Sequence, residues 1–165
     1  MREQPEDLAW LDQLLQHSRA GSGEHLQSII RADRTVPAAE LVERLAGMHE
    51  LAVATVSASC RPRVSAVDGH FLRGRWVFTT DATAVKARDL RARPQVSAAY
   101  IQGETFAVFT HGDAEFLGPD HPDRGWVEEH LTAHYGVSPS TWGDDIPYIR
   151  INPTWMVSFH GGNES

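Results

Sequence analysis

Cysteine, lysine and long apolar runs are scarce in this chain of 165 residues. The single cysteine, Cys60, cannot form an internal disulfide or a site with several thiolate ligands, which excludes a secreted disulfide-rich scaffold and suits a reducing compartment. No apolar run approaches the roughly 18 residues that a membrane-spanning helix requires, and the polar, acidic N-terminal segment is unlike a signal peptide. We therefore expect a cytoplasmic protein that does not enter a membrane.

Positive charge is also in deficit, because 22 acidic residues face 15 basic ones and the formal net charge is −7. A chain with this balance repels a phosphate backbone unless its bases share one face, so nucleic acid is not the expected partner. Fourteen of the bases are arginine, and the one lysine is Lys86. Because every other basic residue is arginine, the position of this single lysine is a place to look for a function.

Two parts of the chain differ in their hydrophobic pattern. Residues 1–48 read as an N-terminal helical extension, in which Leu41, Leu45 and Met48 recur at helical spacing on one face. Residues 49–162 read as a domain made mainly of strands, with one helix over 81–93 ended by Pro94 and another over 121–135 that begins at Pro122.

The β-rich part contains about six strands. Apolar or alternating runs predict strands near 51–58, 63–67, 76–80, 96–101, 106–117 and 148–159, with Pro153 marking an edge or a bulge in the last of them. A turn at 73–75 separates Phe71-Leu72 from the third strand. A doubly wound fold requires strict alternation of strands and helices, which is absent here. The expected fold is therefore mainly β with flanking helices, arranged as a closed or partly closed antiparallel barrel.

A candidate anion site lies at the start of the helix that follows the third strand. Lys86 is in its first turn, Thr80 ends the preceding strand, and Arg63 lies on a neighbouring strand. The free N–H groups of a helix N-terminus, a lysine, an arginine and a hydroxyl together suit a phosphate group. The alternative is that Lys86 is a solvated helix residue and Arg63 a surface charge.

Four short motifs follow one another between Leu51 and Leu117. They are Arg63-Val64-Ser65, Val77-Phe78-Thr79-Thr80, Lys86 followed by Leu90, and Arg93-Pro94-Gln95-Val96. In this order and spacing they resemble the pyridoxamine-phosphate-oxidase-like family of flavin-binding split barrels. The resemblance implies a six-stranded antiparallel Greek-key split barrel and a homodimer with two flavin sites at the subunit interface.

The resemblance also implies roles for individual residues. Arg63 and Lys86 would hold the cofactor phosphate, with help from the Thr80 hydroxyl, and Trp155 would line the flavin or the dimer interface. Backbone groups that would line the ring belong to Val64, Ser65, Phe78 and Thr79.

Two departures from the family pattern stand out. Ala84 replaces a common serine, a loss for which Thr83 is the expected substitute, and the arginine-rich C-terminal segment of true pyridoxamine phosphate oxidases is missing. Oxidation of pyridoxamine phosphate is therefore not expected.

The cofactor that the resemblance implies is FMN or, alternatively, a 5-deazaflavin coenzyme, and some branches of the superfamily bind haem or a bilin. Either of the first two would make the protein an oxidoreductase that transfers hydride between the ring and a small organic substrate. No obligatory catalytic acid or base is evident in the strands, so the catalytic residues are not identified. Two alternatives remain, namely a non-catalytic flavin, deazaflavin or haem binding or sensing protein on the same barrel, and a β domain without a cofactor.

Histidine and tryptophan supply the remaining candidates. His130 and His134 stand four apart on a predicted helix, but no glutamate follows the first as in a zinc-protease motif, so we expect a partly exposed helix face and no metal site. His111 and His160 either approach a cofactor ring or serve the structure. Trp142, in a loop, is either a flap over the ring or a packing residue.

Overall fold

The computed structural model describes residues 3–161, and its six strands form a closed antiparallel barrel. The order around the barrel is β1-β2-β3-β6-β5-β4. The strands are β1 (Met48–Val56), β2 (Pro62–Leu72), β3 (Arg75–Thr79), β4 (Gln95–Gln102), β5 (Phe106–Phe116) and β6 (Tyr148–His160). The helices are α1 (Pro5–Ala20), α2 (Glu24–Ile29), α3 (Ala38–Arg44), α4 (Val85–Ala92) and α5 (Arg124–Tyr135), with 3₁₀ turns at Ala32–Arg34 and Pro139–Thr141. The expected mainly β split barrel is confirmed.

Alternation of side chains along the strands produces the main core. On β1, Leu51 and Val53 are fully buried inside the barrel, whereas the alternate residues Ala52 and Ala54 point outward. Buried apolar residues from all six strands join this core, and Leu41 and Leu45 of α3 and Leu11 of α1 pack into the same cluster. The barrel interior is thus a packed core and not a ligand channel.

The helices of the N-terminal segment lie against the barrel. The side-chain oxygen of Ser18 accepts a hydrogen bond from the Met156 backbone at 3.0 Å, and the Ser18 carbonyl accepts one from the Trp155 indole at 3.2 Å. The prediction that Met48 continues the face of α3 is wrong, because the helix ends at Arg44 and Gly47, with φ of +90°, turns the chain into β1.

A second, smaller apolar cluster lies outside the barrel under α5. It consists of Leu72, Val77, Leu117, Val127, Leu131 and Tyr148, with Trp126 and Tyr135 packed against it. The helix begins at Arg124 and not at Pro122, because residues 121–123 form a turn in which Asp123 pairs with Arg150.

The helix predicted over 81–93 also starts later than expected. Asp81 accepts hydrogen bonds from the Thr83 backbone and hydroxyl, which holds residues 81–84 in a turn, and α4 begins at Val85.

The irregularity expected at Pro153 is present. The register between β5 and β6 shifts between His111 and Gly112, opposite Pro153. A Cβ atom at Gly112 would lie 2.1 Å from the Asn152 carbonyl oxygen, so only glycine fits this bulge. No helix among residues 3–161 is long and apolar enough to cross a membrane.

Candidate functional site

The first turn of α4 brings Lys86 next to the end of β3. The Lys86 Nζ lies 3.5 Å from the Thr80 hydroxyl, and both side chains are half-buried. A contact at this distance is at the long limit of a hydrogen bond and engages one of the three donors of the ammonium group. Lys86 therefore retains donors for an anion.

Arg63 reaches the same face of α4 from β2. Its Nη1 lies 3.5 Å from Oδ2 of Asp89, which is buried and also accepts a hydrogen bond from the Thr55 hydroxyl at 3.3 Å. Asp89 follows Lys86 by three residues, a spacing that puts both side chains on one side of a helix. The Arg63 side chain is 47% exposed, so it contacts Asp89 on one side and remains open to a ligand on the other.

Asp89 and Thr55 were not among the residues that the sequence pointed to. The spacing of Asp89 from Lys86 was the available signal, whereas the contact of Thr55 depends on how β1 packs under α4. Thr55 thus positions the Asp89 carboxylate, which Arg63 contacts.

The backbone at the start of α4 has no side-chain cap. Ala84 occupies the N-cap position, where serine or threonine would accept a hydrogen bond from the first turn. The Thr83 hydroxyl, expected to compensate, donates to Asp81. The first-turn amides and the positive end of the helix dipole are therefore available to an anion, next to Lys86.

The four predicted ring-lining residues lie where β2 and β3 part. These strands pair only from His70–Val77 to Leu72–Arg75, so Ser65 and Thr79 lie beyond the paired stretch. Phe78 is fully buried in the main core, and only its backbone could face a ring, whereas Val64 is 72% exposed. The structure thus places all four close to the strand ends that carry Arg63 and Thr80.

Trp155 does not join this group within one chain. Strand pairing places Val64, Ala54, Ser97, His111 and Trp155 in one row across β2, β1, β4, β5 and β6. Trp155 is four strand positions from Val64 and is stacked on His111, with ring centroids 4.6 Å apart and an interplanar angle of 18°.

The helical pair His130 and His134 forms a cluster with His70 between β2 and α5, and the sequence did not reveal the part of His70. The fully buried His70 shares hydrogen bonds with His130 at 3.2 Å and with the Tyr135 hydroxyl at 3.0 Å, and the His134 ring meets it edge-on. Burial, reinforced by the neighbouring His130 and His134, lowers the pKa of His70 to about 3. His130 therefore serves packing between β2 and α5, and no group of three or more potential ligands within residues 3–161 has the arrangement of a metal site.

Trp142 lies on the other side of Tyr135. Its indole packs edge-on against the Tyr135 ring with centroids 4.9 Å apart and is 47% exposed. The loop that carries it is tied to the start of the α4 region, because the Asp145 carbonyl accepts a hydrogen bond from the Ala82 backbone. A role as a flap remains a prediction.

Comparison with known proteins gives a family and a set of solved structures. The family model described as pyridoxamine 5'-phosphate oxidase matches residues 38–159. No curated protein sequence matches the chain. The conserved hypothetical protein Rv2991 from Mycobacterium tuberculosis superposes with a TM-score of 0.65 at 20% identity, covering 82% of this chain and 98% of that one.

Two further solved structures are similar in fold. An F420 reductase has a TM-score of 0.55 at 23% identity over 68% of this chain and 91% of its own. A pyridoxamine 5'-phosphate oxidase-related, FMN binding protein from Nostoc punctiforme has a TM-score of 0.54 at 15% identity over 70% of this chain and 77% of its own.

Proposed function

The chain belongs to the pyridoxamine 5'-phosphate oxidase family, and on that premise we propose that it is an oxidoreductase whose cofactor is FMN or a 5-deazaflavin coenzyme. One observation carries the proposal, namely that Lys86 contacts Thr80 at the uncapped start of α4 while Arg63 of β2 contacts Asp89, three residues further along the same helix. Two cations, a hydroxyl and free amides are the donors that a phosphate or phosphodiester requires. The residues present therefore fit the phosphate end of either cofactor.

Each residue of the site has a distinct part in this proposal. Lys86 and Arg63 bind the phosphate, Thr80 adds a hydroxyl donor, and Asp89 orients the Arg63 guanidinium. The backbone of Val64, Ser65, Phe78 and Thr79 lies beyond the paired part of β2 and β3, where a flat ring can lie against it. When bound, the ring supplies the hydride chemistry, and the protein positions it and limits the access of water.

A homodimer is part of the same proposal. On the outer face of β2, β1, β4 and β5, two rows of side chains lie exposed or half-exposed and none is charged. The rows are Val64, Ala54, Ser97 and His111, and Ala66, Ala52, Ala99 and Phe109. These two rows carry no charge, and the acidic pair Glu50 and Asp68 borders them on β1 and β2. A chain with a net charge of −7 can approach its own copy most easily through uncharged rows of this kind.

Direct binding of the two cofactors tests the proposal. FMN and the deazaflavin coenzyme F420 are titrated separately into protein stripped of bound pigment, with haem as a third arm, and the substitution Lys86→Ala is compared with the wild type. Loss of a charged hydrogen bond costs about 1.5–3 kcal/mol, so we expect one flavin-type cofactor to bind about 10- to 100-fold more weakly to the variant.

Arg88→Ala is the matched control, because Arg88 is exposed on α4 two residues from Lys86 and faces away from it. It removes one positive charge without touching the site and should leave affinity almost unchanged. Equal weakening by both substitutions would show a general charge effect. Binding of haem alone, or of none of the three, would refute a flavin-type cofactor.

A further inference from the structure

A pocket of about 200 Å³ lies where the N-terminal helical segment meets the barrel. Most of its lining comes from residues 12–37, ahead of the stretch 38–159 that matches the family model, and β6 supplies the rest. None of the residues of the proposed cofactor site lines it. The pocket is therefore an addition of this chain to the barrel, separate from the site at α4.

The floor of this N-terminal pocket is apolar. Ile30, Val36 and Val157 are buried around it, and Leu15 of α1 forms a half-buried wall. The Ser158 hydroxyl beside them accepts a hydrogen bond from the Val36 backbone at 3.2 Å and donates to the Val36 carbonyl at 3.5 Å. Because this hydroxyl is engaged within the chain, the floor suits the aliphatic part of a ligand.

Two side chains of opposite charge from α1, Asp12 and Arg19, also line the pocket. They are seven residues apart, which places them on one face of the helix with Cα atoms about 10.5 Å from each other. Asp12 Oδ1 accepts a hydrogen bond from the Ala38 backbone at 2.8 Å, and Arg19 Nε donates to the Ile30 carbonyl at 3.0 Å. Each charged group is therefore held in place by the chain that follows α1.

Both charged groups keep atoms that a ligand can bind. Within residues 3–161, no hydrogen bond or ion pair reaches Oδ2 of Asp12 or either Nη of Arg19. Both side chains are half-buried, where charges are screened less by salt than on an exposed surface. A carboxylate and a guanidinium group at one pocket, neither paired with the opposite charge, suit a molecule that carries both an ammonium and a carboxylate group.

The size of the pocket limits what this molecule can be. Sites for drug-sized ligands enclose about 300–1,000 Å³, so a pocket of about 200 Å³ takes a smaller molecule. The ammonium and carboxylate groups of an α-amino acid are about 3 Å apart, and with a charged hydrogen bond of about 2.8 Å at each end the molecule bridges about 8–9 Å. That length suits two helical side chains seven residues apart.

We propose that the N-terminal pocket binds a small aliphatic amino acid, with its ammonium group on Asp12, its carboxylate on Arg19 and its side chain on the apolar floor. The proposal does not depend on the cofactor. Because Asp12 and Arg19 also bond to the backbone of Ala38 and Ile30, the bound amino acid holds the N-terminal segment on the barrel. A ligand that binds only this folded arrangement raises the temperature of unfolding.

Calorimetric titration of the wild-type protein with L-leucine and with L-valine gives the first test. The matched probes are 4-methylpentanoate, which lacks the ammonium group of leucine, and 3-methylbutylamine, which lacks its carboxylate. We expect at least one amino acid to bind, and both probes to bind at least tenfold more weakly because each loses one charged hydrogen bond. Absence of binding of both amino acids up to about 10 mM, or equal binding of either probe, overturns the proposal.

Substitutions that change charge with little change of shape locate the site. Asp12→Asn keeps an oxygen for the Ala38 backbone and Arg19→Gln removes the guanidinium group, and each should weaken amino-acid binding at least tenfold. Glu24→Gln and Arg31→Gln are the matched controls, because both residues are exposed and neither lines the pocket. Equal weakening by the controls would show a general charge effect and contradict the assigned contacts.

Leu15→Phe separates loss of the pocket from loss of the fold. The larger ring fills the pocket from its half-buried wall, so we expect amino-acid binding to be lost while the ligand-free variant unfolds at the temperature of the wild type. The amino acid should raise the unfolding temperature of the wild type and not of this variant. Unchanged binding to Leu15→Phe would place the amino acid elsewhere and overturn the proposal.

Binding of FMN and F420 to the same variants keeps this proposal distinct from the proposed function. Asp12→Asn, Arg19→Gln and Leu15→Phe should bind the cofactor like the wild type, because none of these residues lies at α4. A protein that binds leucine or valine but neither cofactor refutes only the proposed function. One that binds a cofactor but neither amino acid refutes only the N-terminal pocket.

Discussion

The outer face of β2 changes character along its length. At one end Val64 is 72% exposed, and at the other His70, six residues along and on the same side of the strand, is completely buried. Over His70 lies α5, with its own apolar cluster and a set of ring contacts, whereas no helix of residues 3–161 covers Val64. One strand therefore has a face closed within the chain and a face left open.

The covered and open regions also differ in the kind of side chain they use. The contacts with α1 and α5 combine buried leucine and valine with directed hydrogen bonds, such as those of Ser18 and Tyr135. The open region of β1, β2 and β4 has two uncharged rows of alanine, valine and serine, bordered by the exposed acidic pair Glu50 and Asp68. Hydrogen bonds of defined direction hold α1 and α5 in one position on the barrel. Small uncharged side chains instead allow the close approach of a second sheet. The open face is the surface that we propose a second copy covers.

A charge placed in the open face should have the largest effect. Ala52→Arg puts a guanidinium group at its centre, and an unpaired charge in an interface costs about 3–5 kcal/mol. We expect the dimer to dissociate at least 100-fold more readily by light scattering, with cofactor affinity reduced at least tenfold and the thermal unfolding of the monomer little changed. Ala58→Arg, in the exposed β1–β2 turn, is the control. A dimer that resists Ala52→Arg would place the subunit contact elsewhere.

Shortening a buried side chain in the covered region should lower the free energy of unfolding and leave dimer formation unchanged. Leu11 of α1 is fully buried in the main core, and Leu11→Ala is expected to lower the free energy of unfolding by about 2–5 kcal/mol. Val64→Ala removes apolar atoms that are mostly exposed in one chain and should change the free energy of unfolding by less than about 0.5 kcal/mol. Urea unfolding of both variants, at concentrations where the chain is monomeric, checks this contrast. Equal losses would mean that the open face is already covered within one chain.

Acid should weaken the covered region through His70. Its pKa is about 3 in the folded protein and near 6.5 when unfolded, so the unfolded chain takes up the proton first as pH falls. Stability from this group is complete above pH 6.5 and declines by about 1.4 kcal/mol per pH unit below it, down to about pH 3. The titratable groups that face it are His130, His134 and Tyr135 of α5 and His49 of β1.

Unfolding at pH 7.5, 6 and 5 measures that slope. His70→Gln removes the titrating group and should flatten the dependence between pH 6.5 and 5, while His17→Gln, on the exposed side of α1, should retain it. An unchanged slope in His70→Gln would assign the acid sensitivity to other groups.

Patterns within a few residues made the fold predictable. The β-rich run of β1, the alternation at the start of β2, the end of the helix before Pro94 and the irregularity at Pro153 each act through neighbouring backbone, and the structure reproduces them. The predictions were wrong where a contact with a residue distant in the chain determines the local structure. Pro122 did not start α5, because Arg150 holds Asp123 in a turn.

In the candidate site, too, contacts between residues near in the chain were predictable and contacts between distant residues were not. Lys86 and Thr80 are six residues apart, so their proximity followed from a strand that leads into a helix. The contacts of Asp89 with Arg63 and of His70 with His130 and Tyr135 join residues 26 to 65 positions apart, and the pairing of residues so distant in the chain is not encoded in local sequence patterns.

By itself the sequence determined the family, the barrel and the lysine at the start of α4, because each is encoded by periodicity or by motifs of short spacing. Only the tertiary structure decided which outer surfaces are closed by α1 and α5 and which one stays open, and which side chains share a row across four strands. The reason is that barrel closure sets the register between strands that are distant in the chain, and this register, not the local sequence, puts His111 and Val64 at the same height.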